Sequence, residues 1–507
     1  MRTATRHARA AVSRRAATIL LIMTIATTTS LAAEPAPPGA SRAFVSTDPD
    51  IATARLLYEA GRFRDADAAL NTAADRVAAD EFAEILRRAR RDYSLTPDRL
   101  RVRLAESIPD VTAADVARWI ASGDVQHRVI DGQVAIFRRE PGHLLRFCQD
   151  AMQRRDAAKK PAPPEPAPAW TLHDHLRAVI AAAQASGAPQ VLPVRHRITY
   201  TLTVSPDRPG AKPGSKLAVW LPFPQVYARQ RDVRLIESDP PGAVLADAAT
   251  DGNPVTGPAQ RTVYLERRID DPSQAQVFRI RFEFTTSAYY PDLKPGVSRP
   301  QPSTDVSTYL VERPPHIVFT PALRAKVREI VGDDADPLSR ARKIFHWIDE
   351  NLRWTPEEEY GIIPNLSRHG FVRGKGDCGV AAMLYITLCR IAGVPARWQS
   401  GWTTRPVGWN MHDWAEIFVE PWGWLPVDAS YGRQKSDDPA IRDFYFGHTD
   451  SYRLIVNLDY GRELSPVKRS LRSEPLDFQR GEVELDGKNL YFDDWDYDIA
   501  FERDPGP

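Results

Sequence analysis

Cys378, His412 and Asp428 are the residues of this 507-residue chain whose types and settings suit acyl-transfer chemistry. Cys378 lies in "GKGDCGVAAMLYITLCRIAGVPAR" (374–397), where Asp377 can cap a helix, the run 380–392 is apolar almost all round, and Gly393 and Pro395 end it. The cysteine therefore falls on the first turn of a buried helix. Unpaired N–H groups and the partial positive charge there favour thiolate over thiol, with Asp377 working slightly against them. A free thiol with a pKa near 8.5 is only a few per cent ionised at neutral pH, so a nucleophile needs this help and that of a histidine. Position alone does not decide the matter, because cysteine is more often inert core than nucleophile. Its partners do.

The segment "NMHDWAEIFVEPWGWLPVDASYG" (410–432) alternates as two strands, 412–420 and 424–428, turned at Pro421-Trp422-Gly423. An antiparallel hairpin returns Asp428 towards His412. Histidine can take the thiol proton and later protonate a leaving amine, while the aspartate fixes its tautomer and stabilises its charge. Direct cross-strand pairing of the two needs a turn centred on Glu420, two residues before the turn the sequence marks. A bulge or a long acidic reach has to close that difference.

"GDCG" opening an apolar helix that ends "GVPAR", then "HDWAEIFV", then "GWLPVDASYG", resembles the core of the transglutaminase-like superfamily of cysteine enzymes, in the family's order and from Ala341 to about Gly432. The resemblance implies Cys378 as nucleophile, His412 as general base and Asp428 as its orienting acid. It also implies a papain-like α+β core, with the cysteine on a helix N-terminus and His412 and Asp428 on antiparallel strands. An oxyanion hole would use the Cys378 backbone N–H and a side-chain donor upstream, for which Trp354 and Tyr360 are the candidates. Trp398, Trp402, Trp414 and Trp424 crowd the same region, as walls of a groove or as packing.

The elements that must position these groups belong to a multi-domain α+β chain, about three domains by length. Residues 1–33 carry five arginines, an apolar run and a small-residue end, the pattern of a cleaved signal peptide for the periplasm or beyond. A helical region with a small hairpin at Asp131-Gly132 spans 40–158, and its start resembles one tetratricopeptide-like helical hairpin. A proline-rich linker covers 159–170, and alternating segments at 190–290 read as an all-β, sandwich-like domain. The catalytic core spans 320–435, led by a helix with Ala341, Ile344, Phe345, Ile348 and Leu352 on one face, and 436–507 is a strand and loop extension with a turn at Asp486-Gly487.

Loss of the leader removes five arginines and no acidic residue, so the formal charge falls from +1 to −4. That balance gives no electrostatic case for nucleic acid, and no mature stretch is long and apolar enough to span a bilayer. Cys148, Cys378 and Cys389 make no disulfide framework; on one helix Cys378 and Cys389 would lie about 16 Å apart, beyond the roughly 7 Å limit, while pairing of Cys148 with Cys389 stays open. His346, His369 and His448 lack metal-ligand spacing, and no phosphate-binding glycine loop is present, so neither metal nor other cofactor is expected. The expected function is an exported thiol hydrolase or acyltransferase that forms a thioester on Cys378 from a protein or peptide substrate, cell-wall peptide included. Water or an amine would resolve it. The alternative is a silent envelope scaffold or binding protein that retains the same core.

Overall fold

The computed structural model describes residues 42–159, 169–248, 257–294, 296–298 and 305–503. The expected leader at 1–33 and most of the expected linker at 159–170 lie outside the described residues.

At the centre is the helix Cys378–Ile391, N-capped by the Asp377 side chain, which accepts from Val380 N. It is buried from Gly379 to Arg390. A helix this apolar needs protein on every side, and it has it. The helix Pro337–Asn351 covers it with Ala341, Ile344, Phe345 and Ile348, and its own N-cap is Asp336. Below lies a four-stranded antiparallel sheet in the order Gly423–Val427, Gly408–Val419, Ala396–Arg405, Arg453–Asn457. Ala415, Ile417, Leu425 and Val427 join Met383, Leu384 and Leu388 in one core. Each of these side chains larger than alanine contributes about 1.5–3 kcal/mol by leaving water.

The middle region packs two antiparallel sheets face to face. One runs Lys488–Leu490, Glu482–Leu485, Lys216–Pro222, Thr262–Arg268, Val244–Leu245; the other runs Trp495–Arg503, Gln190–Val204, Gln276–Tyr289, Gln230–Asp239. The segment after 436, read from sequence as an extension, thus supplies three strands to this sandwich. Alternation marks a strand but does not name its partner, which is why that pairing was not legible. Trp402, Leu454 and Val456 of the core sheet are buried among sandwich residues. Trp398 and Trp414 are buried too, and Arg397 stacks on Trp424, so all four tryptophans pack and none lines the cleft described below.

In the front region the strands His127–Ile130 and Gln133–Ile136 pair through a turn in which Asp131 and Gly132 both have positive φ, 49° and 80°. This region docks on the segment that precedes the cysteine. Tyr58 Oη donates to the Ile362 carbonyl at 2.9 Å, Tyr93 Oη to Glu358 Oε1 at 2.6 Å, and Arg138 pairs with Glu359 at 3.1 Å. The helical front is therefore tied to the loop that presents Tyr360.

Candidate active site

Cys378, His412, Trp354 and Tyr360 line one cleft of about 670 Å³, together with Arg139 from the front region and the loop from Ser473 to Arg480. Trp354 reaches it because Arg353–Trp354 pairs in parallel with Lys375–Gly376, just ahead of the cysteine helix. It is 43% exposed, with Arg146 over its ring. Tyr360 stands against the first helical turn, where its hydroxyl accepts from Gly379 N at 3.0 Å and donates to Asp377 Oδ1 at 2.8 Å. Only glycine admits this approach, since a Cβ at 379 would sit 2.2 Å from that hydroxyl.

His412 and Asp428 meet: Nε2 to Oδ2 is 2.7 Å. The register explains the reach. Ala415 pairs with Val427, so Asp428 falls opposite Trp414 and meets His412 along the diagonal, on the same face of the sheet. The Asp428 carboxylate also takes Arg453 Nη1 at 2.7 Å and the backbone N–H groups of Ser430 and Tyr431 at 3.2 and 2.9 Å. Burial alone would raise its pKa, but His412 and Arg453 outweigh it and hold it at about 2. Burial lowers the pKa of His412 against the pull of Asp428, so the imidazole is neutral at neutral pH. Its ring packs on Trp414 and Tyr431.

The thiol has a different partner from the one expected. Cys378 Sγ donates to Asp413 Oδ2 at 3.3 Å, and among the described residues no hydrogen bond joins it to His412. Enclosure by protein, then the charges of Asp413 and Asp377, push the thiol well above its ordinary pKa. The expectation that the helix terminus favours thiolate is corrected here: burial first, and then the two carboxyl groups, keep the thiol protonated. All three cysteines are free, with Cys148 and Cys389 buried in separate cores.

Residues 324–429 match the model of the transglutaminase-like superfamily. The chain contains a transglutaminase-like domain. An uncharacterized protein of Haemophilus influenzae is 25% identical over 186 residues, 30% of this chain and 50% of that protein, so the match spans about half the relative's length. Among solved structures, the chain is similar to a candidate cysteine protease of Cytophaga hutchinsonii, at 14% identity and a TM-score of 0.41, covering 62% of this chain and 92% of the other. It is also similar to the periplasmic domain of TgpA from Pseudomonas aeruginosa, at 13% identity and a TM-score of 0.24, covering 53% and 95%.

Reading the sequence for this transglutaminase-like domain missed Asp413, Arg453 and Gln479, whose amide donates to Asp413 Oδ1 at 2.7 Å and to the His412 carbonyl at 2.9 Å. For Asp413 a signal existed. It shares a strand face with Ala415 and Ile417, which pack on the cysteine helix, so a carboxylate was due at the core side beside Cys378. Arg453 and Gln479 come from distant segments and carried no local signal. Glu357, Glu358 and His369 bring ligand-type atoms within 4.8 Å of one another. Arg373 bonds to Glu357 Oε1 at 2.6 Å and to His369 Nε2, so a guanidinium already supplies the cation there. No described helix is long and apolar enough to cross a membrane.

Proposed function

We propose that this protein is an exported thiol hydrolase or acyltransferase acting on amide bonds of protein or peptide substrates. Cys378 is the nucleophile, His412 the general base and Asp428 its orienting acid. The observation that carries the reading is the 2.7 Å bond from His412 Nε2 to Asp428, which leaves Nδ1 as the ring nitrogen free to take a proton in the cleft that holds Cys378.

In the reaction the thiol proton passes to Nδ1 as Sγ attacks the amide carbonyl carbon. The oxyanion is met by the Cys378 backbone N–H and a side-chain donor. Trp354 suits that role better than Tyr360, whose hydroxyl is already engaged with Asp377 and Gly379. The imidazolium, stabilised by Asp428, protonates the departing amine and leaves a thioester on Sγ. Water or a primary amine then attacks the thioester, gives its proton to His412, and releases acid or new amide with the thiol restored. The leader at 1–33 supports periplasmic or secreted placement, where cell-wall peptides are substrates within reach.

The test compares wild-type protein with Cys378→Ala on a denatured protein supplied with a fluorescent primary amine. New amino termini report hydrolysis, and incorporated fluorescence with released ammonia reports transamidation. Either product, lost in the variant, supports the reading. The thiol's bond to Asp413 instead of His412 favours a second reading, a silent scaffold, which predicts neither product from wild-type protein and binding that survives Cys378→Ala.

A further inference from the structure

His412 and Asp413 are neighbours on one strand, so the pleat sends their side chains to opposite faces. His412 is fixed on its face by Asp428, Trp414 and Tyr431. Asp413 is fixed on the other. Its Oδ1 accepts from Gln479, its Oδ2 accepts from the Cys378 thiol at 3.3 Å, and Tyr360 Oη lies 3.2 Å from that same oxygen. With 1% of its surface exposed, Asp413 is shielded from water that would compete for the sulfur. The resting thiol thus belongs to a carboxyl network, while the base it must reach belongs to another.

We propose that Asp413 is a positioning residue for the thiol: its carboxyl holds Cys378 Sγ off His412 in the resting enzyme, and Sγ turns about its Cα–Cβ bond to the imidazole when an acyl substrate fills the cleft. This rests on the reading of Cys378 and His412 given above. The groups that face the pair come from four segments. Tyr360, with Glu357 further out, precedes the cysteine helix; Asp377 caps it; Glu474, Asp477, Gln479 and Arg480 come from the loop over the cleft; Arg139 comes from the front region. Four of these eight are acidic, and a carboxylate beside a thiol keeps it protonated. A protonated thiol is also a poor target for oxidants, which attack thiolate, and that suits a cysteine enzyme sent to an oxidising compartment.

The experiment is the rate of iodoacetamide alkylation of Cys378 in the full chain from pH 5 to 10, read by mass on the labelled peptide. The sulfur bonds to the methylene carbon, iodide leaves, and the thiol proton goes to solvent, so the rate reports thiolate without any need for turnover. Asp413→Asn keeps the shape and removes the carboxyl, so no charge can build beside the thiol as pH rises. We expect it to react at least about tenfold faster at pH 7, with the midpoint lowered by about one pH unit. Adding His412→Ala to Asp413→Asn should reverse most of that gain, because the released thiol then lacks its imidazole. An Asp413→Asn rate and midpoint within about twofold and a few tenths of a unit of wild type overturn the proposal.

Should the Asn variant fail to melt cooperatively, Asp413→Ser takes its place. The wild-type S–H stretch in infrared difference spectra against Cys378→Ala gives a check that needs no Asp413 variant. A band lowered by hydrogen bonding agrees with the proposal, and a band at the free-thiol position overturns it. Loss of product formation in Cys378→Ala together with an unmoved Asp413→Asn profile would leave the functional reading standing and this inference refuted. A moved profile with no product from wild-type protein would do the reverse.

Discussion

Asp428 and Asp413 are both buried aspartates beside the proposed dyad, and their surroundings could hardly differ more. Asp428 has a guanidinium, an imidazole and two backbone N–H groups around it, and stays ionised. Asp413 has a thiol, a phenol and an amide, with Asp377 and Asp477 close by, and burial followed by the charge of Asp377 pushes its pKa well up. Compensation by cations decides which carboxyl can orient a base and which can only hold a proton near a thiol. The base half of the site is assembled in advance. The nucleophile half is held in reserve.

The strongest way to break this contrast is to remove the groups that react. Cys378→Ala should lower turnover by at least about a thousandfold, and His412→Ala by about a hundredfold to ten-thousandfold, measured as product formed per enzyme. Next in size is the cation behind Asp428. Arg453→Met leaves a buried carboxylate without its guanidinium, and should destabilise the protein by about 3–5 kcal/mol in denaturant unfolding while slowing turnover.

The carboxyl side predicts an opposite pH dependence. Burial, then the charge of Glu357, raises Asp377 from 3.8 to about 7, so the folded state binds the proton more tightly than the unfolded chain. The resulting stability is complete below about pH 4 and is lost as pH rises through about 7. Asp377→Asn, which can still cap the helix, should flatten that fall by up to about 4 kcal/mol in melts from pH 4 to 8. Asp428 runs the other way. Its contribution is present above about pH 4 and is lost as pH falls towards about 2. The smallest effect expected is that of Trp354→Phe, which keeps the ring and removes the N–H. At an exposed position it should lower kcat about tenfold with little change in KM.

The half of the site that was legible in the sequence is the half written in local signals. Asp377, the apolar run and Gly393 mark the cysteine helix, and Gly393 has the positive φ, 76°, of a helix stop. Alternation around Pro421-Trp422-Gly423 marks the hairpin that joins His412 to Asp428, although the diagonal geometry of their contact needed the register. What was not legible depends on segments brought together by folding. Arg453 enters from the far edge of the sheet, Gln479 from the loop over the cleft, and the strands after 482 close a sandwich that begins near 190. The thiol's electrostatics were misjudged for the same reason. A helix terminus and the Asp377 beside it can be read from sequence, but the burial that raises the thiol's pKa comes from the folded surroundings.

The most direct test of the proposed chemistry is intact-mass detection of an acyl adduct after rapid acid quench of the protein mixed with a panel of peptide amides. The expected result is a mass increase equal to the acyl fragment, mapped to the peptide bearing Cys378, absent from Cys378→Ala and diminished in His412→Ala. Product formed without any adduct on Cys378 would contradict a thioester mechanism, and no adduct with no product across the panel would leave the silent scaffold.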